Sequence, residues 1–292
     1  MATRTDGKRR AARRRTTKKK KKPRGPRFRD RHWLYQESVQ SPEVHFEFFD
    51  RVYRERNGVK PRIMKEDFCG TALIAKEWVE LRDDNVAIGV DLDAPTLAWG
   101  KKHNISRLDM EQQSRVILKR ANVLNVTSPK ADIVCALNFS YNIFHTRDAL
   151  RAYFVAARKS LRPGGIFTGD MFGGWEAQKP MQERTRHSGF TYVWDQHKFD
   201  PIHNNGVYYI HFEYHDGGGI RRAFKYDWRL WTIPEALELL DEAGFKDVKI
   251  YWEEIDRSTG FGNSKFRRQR TATNAEGWIA YFVASVSSKK RA

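Results

Sequence analysis

Short apolar runs alternate with longer amphipathic segments through the middle of the chain. Runs of strand length lie at 63–66, 86–90, 116–119, 133–137 and 166–171, and segments with helical periodicity lie at 72–81, 95–103 and 148–161. Buried parallel strands are typically continuous apolar runs, and the helical crossovers between them are right-handed. The alternation therefore predicts an α/β fold, with a doubly wound, mostly parallel sheet that carries helices on both faces.

The pattern changes after the fifth predicted strand to alternating and aromatic segments at 191–194, 207–214 and 223–230. These segments are separated by Asn204-Asn205-Gly206 and by Gly217-Gly218-Gly219, which are turn signals that favour hairpins. We therefore expect an antiparallel β insertion of about three strands after the fifth strand, over about residues 189–230.

The last part of the chain returns to the pattern of the first. A helix is predicted at 232–243, followed by two closing strands at 248–252 and 278–286 with a polar linker at 257–276 between them. These two strands would bring the predicted main sheet to seven strands. The folded domain is expected to span residues 32–292.

Most of the positive charge of the chain lies at its N-terminus. The chain has 54 Lys and Arg residues against 36 Asp and Glu, a formal net charge of +18. Residues 1–29 hold 15 of the basic and one of the acidic side chains, so they carry +14 and the rest carries +4. A segment this basic and this poor in apolar residues is typical of disorder. We therefore expect a disordered basic tail over residues 1–31.

The basic tail has the composition of a ligand for polyanions. Each phosphate that its side chains neutralise would release counterions, so residues 8–29 are expected to make nonspecific contact with nucleic acid or the ribosome. A solubilising tail, a nuclear address and contact with an anionic membrane surface remain alternatives. The tail can supply affinity in each case, but no chemistry.

Membrane-spanning and secreted proteins are disfavoured. No stretch approaches the roughly 18 apolar residues that cross a bilayer, and the N-terminus lacks the apolar core of a signal peptide. With only Cys69 and Cys135, a disulfide framework is not expected. These features indicate a cytoplasmic protein, or a nuclear one in a eukaryotic host. No cluster of His, Cys, Asp and Glu has metal-ligand spacing, so no metal is expected.

The first predicted strand runs into a turn of small residues that opens a helix. Glu66 ends this strand, and Gly70 lies in the turn. Such a turn presents backbone amides and a helix N-terminus to a ligand. Asp91 ends the next strand, where a carboxylate can accept both hydroxyls of a ribose. Phe68 and Ala72 stand where a dinucleotide site has glycines, so the pattern favours a nucleoside cofactor without a pyrophosphate.

Five segments in this order, 66–72, 89–93, 121–123, 132–138 and 161–165, give the chain its family resemblance. The sequence resembles the class I S-adenosylmethionine-dependent methyltransferases, well over about residues 60–175 and more loosely over 230–287. The resemblance implies S-adenosyl-L-methionine as cofactor and methyl transfer as the activity.

The resemblance also implies a role for each motif residue in the cofactor site. The methionine end would be lined by Glu66, Phe68, Cys69, Gly70 and Thr71. Asp91 would hold the ribose, Leu92 would pack on the adenine face, and Asn122, next to Val123, would hydrogen-bond the adenine edge. Alternatives remain for three of these residues: Cys69 as an inert packing residue, Asn122 as a turn former and Asp91 as a helix-start residue.

The fourth strand ends in the segment 137–142, which faces the transferred methyl group in this family. The segment loosely resembles the Asn-Pro-Pro-Tyr signature of methyltransferases that act on nucleobase amines, without its prolines. It is equally similar to the Asn-Ser segment of small-molecule methyltransferases such as glycine N-methyltransferase. Asn138 and Tyr141 are the catalytic candidates, since Asn138 could accept from an amine and Tyr141 could stack on the acceptor. In the alternative, Asn138 caps the strand and Tyr141 lies in the core.

The sequence leaves the methyl acceptor open. A nitrogen or oxygen nucleophile is expected; the basic tail favours a nucleic-acid or ribosomal acceptor, and the near-neutral body favours a small molecule. The insertion is rich in aromatic residues and would form either a lid over the substrate or an ordinary sheet core. His145 would be a base or a helix cap. A non-enzymatic nucleic-acid-binding protein on a methyltransferase-like fold remains the alternative to an enzyme.

Overall fold

A computed structural model describes residues 29–256, 258 and 262–287. The helices are α1 Arg31–Val39, α2 Pro42–Asn57, α3 Leu73–Leu81, α4 Ala94–His103, α5 Met110–Ser114, α6 Arg147–Lys159 and α7 Ile233–Glu242. The strands are β1 Ile63–Asp67, β2 Val86–Asp91, β3 Val116–Arg120, β4 Ala131–Ala136, β5 Leu161–Gly173, β6 Met181–Arg186, β7 Phe190–Asp200, β8 Asn205–Tyr214, β9 Gly219–Arg229, β10 Asp247–Ile255, β11 Gly262–Gln269 and β12 Trp278–Ser285. Residues 1–28 of the tail that was predicted to be disordered lie outside the described residues.

The central sheet has eight strands in the order β11-β10-β12-β5-β4-β1-β2-β3. Strands β1 to β5 are parallel, and β12, β10 and β11 are antiparallel additions beyond β5. The prediction of a doubly wound, mostly parallel sheet is confirmed. The strand order reverses between β1 and β4, and the carboxyl ends of these two strands border the crevice in which such sheets bind ligands.

The prediction of seven strands in this sheet was wrong by one strand. Strand β11 lies within the segment predicted to be a polar linker, where it pairs with β10 alone. Phe266 is its one buried side chain, whereas Lys265, Arg267 and Arg268 are exposed. An edge strand with long basic side chains shows no apolar alternation in the sequence, and such side chains also discourage pairing with a further strand.

The insertion forms a separate antiparallel sheet of four strands in the order β6-β7-β8-β9. The prediction of three strands starting at about residue 189 missed β6, because five of its six residues are exposed and carry no strand pattern. The inner face of this sheet packs Phe190, Ile210 and Phe212 against Leu34 of α1. The insertion is therefore joined to the N-terminal helix as well as to the main sheet.

The two faces of the main sheet are covered by different helices. Helices α2 and α3 cover one face, where Phe49 and Trp78 are fully buried. Helices α6 and α7 cover the other, with Phe154 and Leu240 in the core. No helix in the described chain is long and apolar enough to cross a membrane.

Strand β1 carries a buried ion pair beneath the turn that follows it. Lys65 and Asp67 are both fully buried and contact each other, and the Tyr153 hydroxyl donates to Asp67 Oδ2 at 3.2 Å. Burial raises the pKa of Asp67, and Lys65 opposes this effect. A buried ion pair contributes little net stability, but losing one partner leaves a costly unpaired charge.

Replacing Lys65 by Met tests this dependence. We expect Lys65→Met to lower the free energy of unfolding by about 3 kcal/mol, because Asp67 then loses its buried counter-charge. The double variant Lys65→Met/Asp67→Asn should recover most of the loss. Urea denaturation followed by circular dichroism measures both effects. Equal stability of the single and double variants would contradict the interpretation.

Candidate functional site

The turn after β1 has the shape of a cofactor loop although two of its expected glycines are absent. Phe68, Gly70 and Ala72 have φ values of 62°, 52° and 56°. The non-glycine residues hold this left-handed conformation at a cost of about 1 kcal/mol or more each. The turn therefore keeps the backbone geometry that glycines would allow, and it leads directly into α3.

The loop is pressed against the end of β2. The Cys69 amide donates to the Val90 carbonyl at 3.0 Å. A Cβ on Gly89 would lie 2.8 Å from the Cys69 sulfur, so only glycine allows this approach. Burial raises the pKa of the Cys69 thiol well above its usual value. Cys69 thus has the environment of an inert packing residue, the alternative left open by the sequence.

Asp91 joins the loop to the strand that carries it. Its Oδ2 accepts from the Gly70 amide at 2.8 Å, and its Oδ1 accepts from the Asp93 amide at 2.8 Å. Each carboxylate oxygen has a second lone pair that can accept from a ligand hydroxyl. The residue that caps α4 is Asp93, which accepts from the Thr96 amide at 2.7 Å. Asp91 is half-buried, so the remaining lone pairs of its carboxylate can be reached by a ligand.

Glu66 has one orphaned oxygen. Its side chain is 3% exposed, and its Oε2 has no hydrogen-bond partner within the described chain. Burial raises its pKa well above the usual value, and repulsion from Asp91 and Asp67 adds to the effect, while a hydrogen bond to the Ala75 backbone opposes it. A positively charged ligand group would relieve both the repulsion and the missing hydrogen bond. The carboxyl groups of Glu66 and its acidic neighbours therefore fit a ligand with positive charge, such as the ammonium and sulfonium groups of S-adenosylmethionine.

Thr71 is held by two helices. Its hydroxyl accepts from Gln36 Nε2 of α1 at 2.6 Å, and its carbonyl accepts from Asn104 Nδ2, just beyond α4, at 2.8 Å. A Cβ on Gly100 would lie 2.2 Å from that same carbonyl oxygen, so α4 can approach only through a glycine. Thr71 thereby fixes the helix side of the loop, and Gln36 is a supporting residue that the sequence did not indicate.

The residues expected at the adenine end lie next to Asp91 or follow β3. Leu92 is 62% exposed, which leaves its side chain free to cover a ring. Asn122 Oδ1 accepts from the Leu124 amide at 3.0 Å and so forms the turn that was its alternative role. Its amide nitrogen donates no hydrogen bond within the described chain. Val123 is buried beside it.

The end of β4 places Asn138 by an unusual backbone arrangement. Asn138 and Phe139 have φ values of 56° and 60°. Both of their amides donate to the Asp170 carboxylate of β5, at 2.8 Å each. Burial raises the pKa of Asp170 to about 7, although these two hydrogen bonds oppose the effect. Asp170 is thus a positioning residue for Asn138.

The two catalytic candidates occupy different environments. Asn138 Nδ2 donates to the Tyr35 hydroxyl oxygen at 2.9 Å, and its Oδ1 accepts nothing from the described residues. Tyr141 is 1% exposed and its ring packs on Phe154 and Phe282. The structure therefore brings Asn138 to the site and places Tyr141 in the core, which was its alternative role.

Two further residues show what the sequence could and could not indicate. Asp170 is a charged residue within a buried apolar strand, a signal that could have been followed. Tyr35 precedes the motifs by a long stretch of chain and carries no local signal. Of the two roles left open for His145, a base or a helix cap, the cap does not apply, because Thr146 caps α6. His145 Nε2 instead lies 2.9 Å from the Asp227 carbonyl.

Comparisons with solved structures identify the fold. An S-adenosylmethionine-dependent methyltransferase from Clostridium acetobutylicum matches with 16% identity over 87% of this chain and 97% of its own, at a TM-score of 0.62. The methyltransferase CcbJ from Streptomyces caelestis matches with 16% identity over 84% and 97%, at 0.60. The sugar N-methyltransferase KedS8 from a Streptoalloteichus species matches with 18% identity over 99% of both chains, at 0.58.

These likenesses show that the chain has the fold of the class I S-adenosylmethionine-dependent methyltransferases, as the motifs predicted. No family model matches the chain, and no curated protein does.

The pKa of Asp170 allows a test of whether its buried carboxyl supports the turn that carries Asn138. Its pKa in the folded protein, about 7, lies above the usual 3.8, so the folded state binds the proton more tightly. Its contribution to stability is therefore greatest at acidic pH and is lost as the pH rises from 4 towards 7. We expect the difference in unfolding free energy between the parent and Asp170→Asn to change by about 4 kcal/mol over this range, in favour of the parent at low pH.

Chemical denaturation at several pH values measures this difference. Asp148→Asn is the matched control, since the Asp148 side chain is 91% exposed and should show almost no such dependence. A parent-to-Asp170→Asn difference that does not vary with pH would show that the carboxyl is not buried as described.

Proposed function

We propose that this protein is an S-adenosylmethionine-dependent methyltransferase. The observation that supports this most directly is the pairing, at the ligand-binding edge of this fold, of the Asp91–Gly70 hydrogen bond with the orphaned carboxyl of Glu66. One carboxylate suits a ribose and the other a cation, so the two together match the two ends of one cofactor. Solved structures of similar fold contain this cofactor, among them an amino pentose methyltransferase with S-adenosylmethionine bound.

Each loop residue has a defined part in holding the cofactor. Glu66 accepts from the cofactor ammonium, and Asp91 accepts from the ribose hydroxyls while keeping its hold on Gly70. The backbone from Phe68 to Thr71 lines the methionine end, with Cys69 filling the space beneath. Leu92, Asn122 and Val123 surround the adenine. The bound cofactor supplies a methyl group already activated on a sulfonium, so the protein needs mainly to align the acceptor and exclude water.

The acceptor atom that best suits the site is nitrogen. Asn138 Oδ1 is a free acceptor at the end of β4, and it can take a hydrogen bond from an amine N–H and so orient the lone pair. KedS8 and the amino pentose methyltransferase, both of similar fold, are described as acting on amino sugars or at sugar nitrogen. Tyr141 is left out of this assignment because it lies in the core.

The expected contact of residues 8–29 with nucleic acid or the ribosome rests on charge alone. It would add a tether to the enzyme and leaves the chemistry at Asn138 unchanged. A protein that binds nucleic acid and has no affinity for the cofactor would instead represent the non-enzymatic alternative.

Titration calorimetry with S-adenosylhomocysteine tests the ribose assignment. We expect Asp91→Ala to weaken binding by about 100-fold, because it removes charge-assisted hydrogen bonds and also releases the loop at Gly70. Asp93→Asn, two residues further on, keeps its cap of α4 and should bind as the parent does. If the parent gives no binding heat, or if Asp91→Ala binds equally well, the cofactor site is refuted.

Binding of two related ligands tests the two ends of the site independently. S-adenosylhomocysteine and 5′-methylthioadenosine share the adenosine, but only the first carries the amino-acid ammonium. Glu66→Gln should weaken binding of the first by about tenfold and leave binding of the second unchanged. Asp91→Ala should weaken both. Equal effects of Glu66→Gln on the two ligands, measured by calorimetry, would remove Glu66 from the methionine end.

A further inference from the structure

The inner face of the insertion sheet lies over the turn that carries Asn138. Phe139 packs with Phe172 and with Trp228 of β9. On the same face, Tyr192 of β7 and Tyr226 of β9 pack in one cluster with Tyr35 of α1. Three tyrosines from three different elements therefore meet beside the end of β4.

The three phenols leave a defined set of hydrogen-bonding groups. The Tyr35 oxygen accepts from Asn138 Nδ2 at 2.9 Å, so its own proton and its second lone pair remain for the neighbouring Tyr226 hydroxyl or for a ligand. The half-buried Tyr192 hydroxyl makes no hydrogen bond to the described residues. The cluster thus offers donors and acceptors of the kind that hydroxyl groups need.

The phenols of the cluster carry no charge. Burial raises the pKa of Tyr35 to about 12 and raises that of Tyr226 further, so both phenols stay protonated. The Asp170 and Glu66 carboxyls add to the effect of burial in raising the pKa of Tyr35, and the Glu183 carboxylate adds to it in raising the pKa of Tyr192. A phosphate or carboxylate is normally held by Arg or Lys, but the charged group that contacts the Asn138 turn is the Asp170 carboxylate, and the Arg31 guanidinium is taken up by the Phe224 ring and the Ala223 carbonyl.

A neutral, partly desolvated site suits an amine as nucleophile. Burial favours the uncharged form of an amine, which is the form with a lone pair to donate. In the transfer the N–CH3 bond forms while the S–CH3 bond breaks, the sulfur keeps the bonding pair, and the positive charge moves from sulfur to nitrogen. The new ammonium then loses a proton to solvent. The total charge does not change during transfer, so no extra counter-ion is required.

We propose that Tyr35, Tyr192, Tyr226 and Asn138 form the acceptor-binding site. Because the Tyr35 hydroxyl lies 2.9 Å from the Asn138 amide nitrogen, the acceptor is a small amino alcohol with a hydroxyl on the carbon next to its amine-bearing carbon, and it has no phosphate or carboxylate. Asn138 holds the amine, and the three phenols bind the hydroxyl groups around it. This proposal rests on the proposed methyltransferase function. It selects a small-molecule acceptor over a nucleic-acid acceptor.

The test uses the full chain with S-adenosylmethionine labelled in its methyl group and an extract of the source cells. The extract is separated by size, and its small molecules are divided on cation and anion exchangers at neutral pH. We expect label on a small molecule retained by the cation exchanger. Prior treatment of the extract with periodate, which cleaves vicinal amino alcohols, should remove the acceptor.

Label on a macromolecule or on a small anion overturns the proposal, as does labelling that survives periodate. An absence of label from every fraction also overturns it, provided that S-adenosylhomocysteine binds in calorimetry. If that ligand does not bind either, the methyltransferase function itself has failed, so the two failures are distinguishable.

Variants connect the labelled fraction to the phenols. Tyr192→Phe should raise the acceptor KM about tenfold and leave S-adenosylhomocysteine binding unchanged, because it removes one hydrogen bond to the acceptor. Tyr209→Phe is the matched control. Its ring lies on the outer face of the same sheet, 5.2 Å from His197, and the variant should match the parent. Equal KM values for Tyr192→Phe and the control would remove the phenols from the acceptor site.

Discussion

The hydrogen bond between the Gly70 amide and the Asp91 carboxylate is the contact on which the site depends. It joins the ends of two adjacent parallel strands, and a second bond, from Cys69 to Val90, lies beside it. Together they hold a turn whose non-glycine residues would otherwise relax from their left-handed conformations. The same carboxylate that shapes the loop is also the group that would grip the ribose, so structure and binding share one side chain.

The order of predicted strands and helices along the sequence was enough to predict the centre of the fold and half of the site. Buried parallel strands are mostly apolar, so β2 to β5 were visible in the sequence, whereas β1 has only Ile63 and Met64 as apolar residues. The carboxyl ends of these parallel strands must meet at one edge. Asp91 and Asn138 follow from that geometry. Strands β6 and β11 were not predictable in this way, since their exposed residues have no apolar alternation to detect.

The remaining site residues depend on contacts between distant parts of the chain. Tyr35 reaches Asn138 from 103 residues away, and Asp170 supports the same turn from the neighbouring strand. Nothing in the local sequence marks Tyr35, whereas Asp170 is marked only as a charged residue within an apolar strand. Tyr141 could not be placed from the sequence for another reason. It lies three residues after Asn138, but the short helical turn Ser140–Ile143 that contains it directs its side chain into the core. Residue type alone could not separate the two.

Helix α1 touches both halves of the site through consecutive residues. Gln36 holds Thr71 of the cofactor loop, and Tyr35 holds Asn138 at the proposed acceptor end. Any displacement of this nine-residue helix by one ligand must therefore be felt at the other position. Thermodynamic reciprocity then requires that each ligand alter the affinity of the other by the same factor. The N-terminal helix is thus a direct structural connection between the two halves of the site.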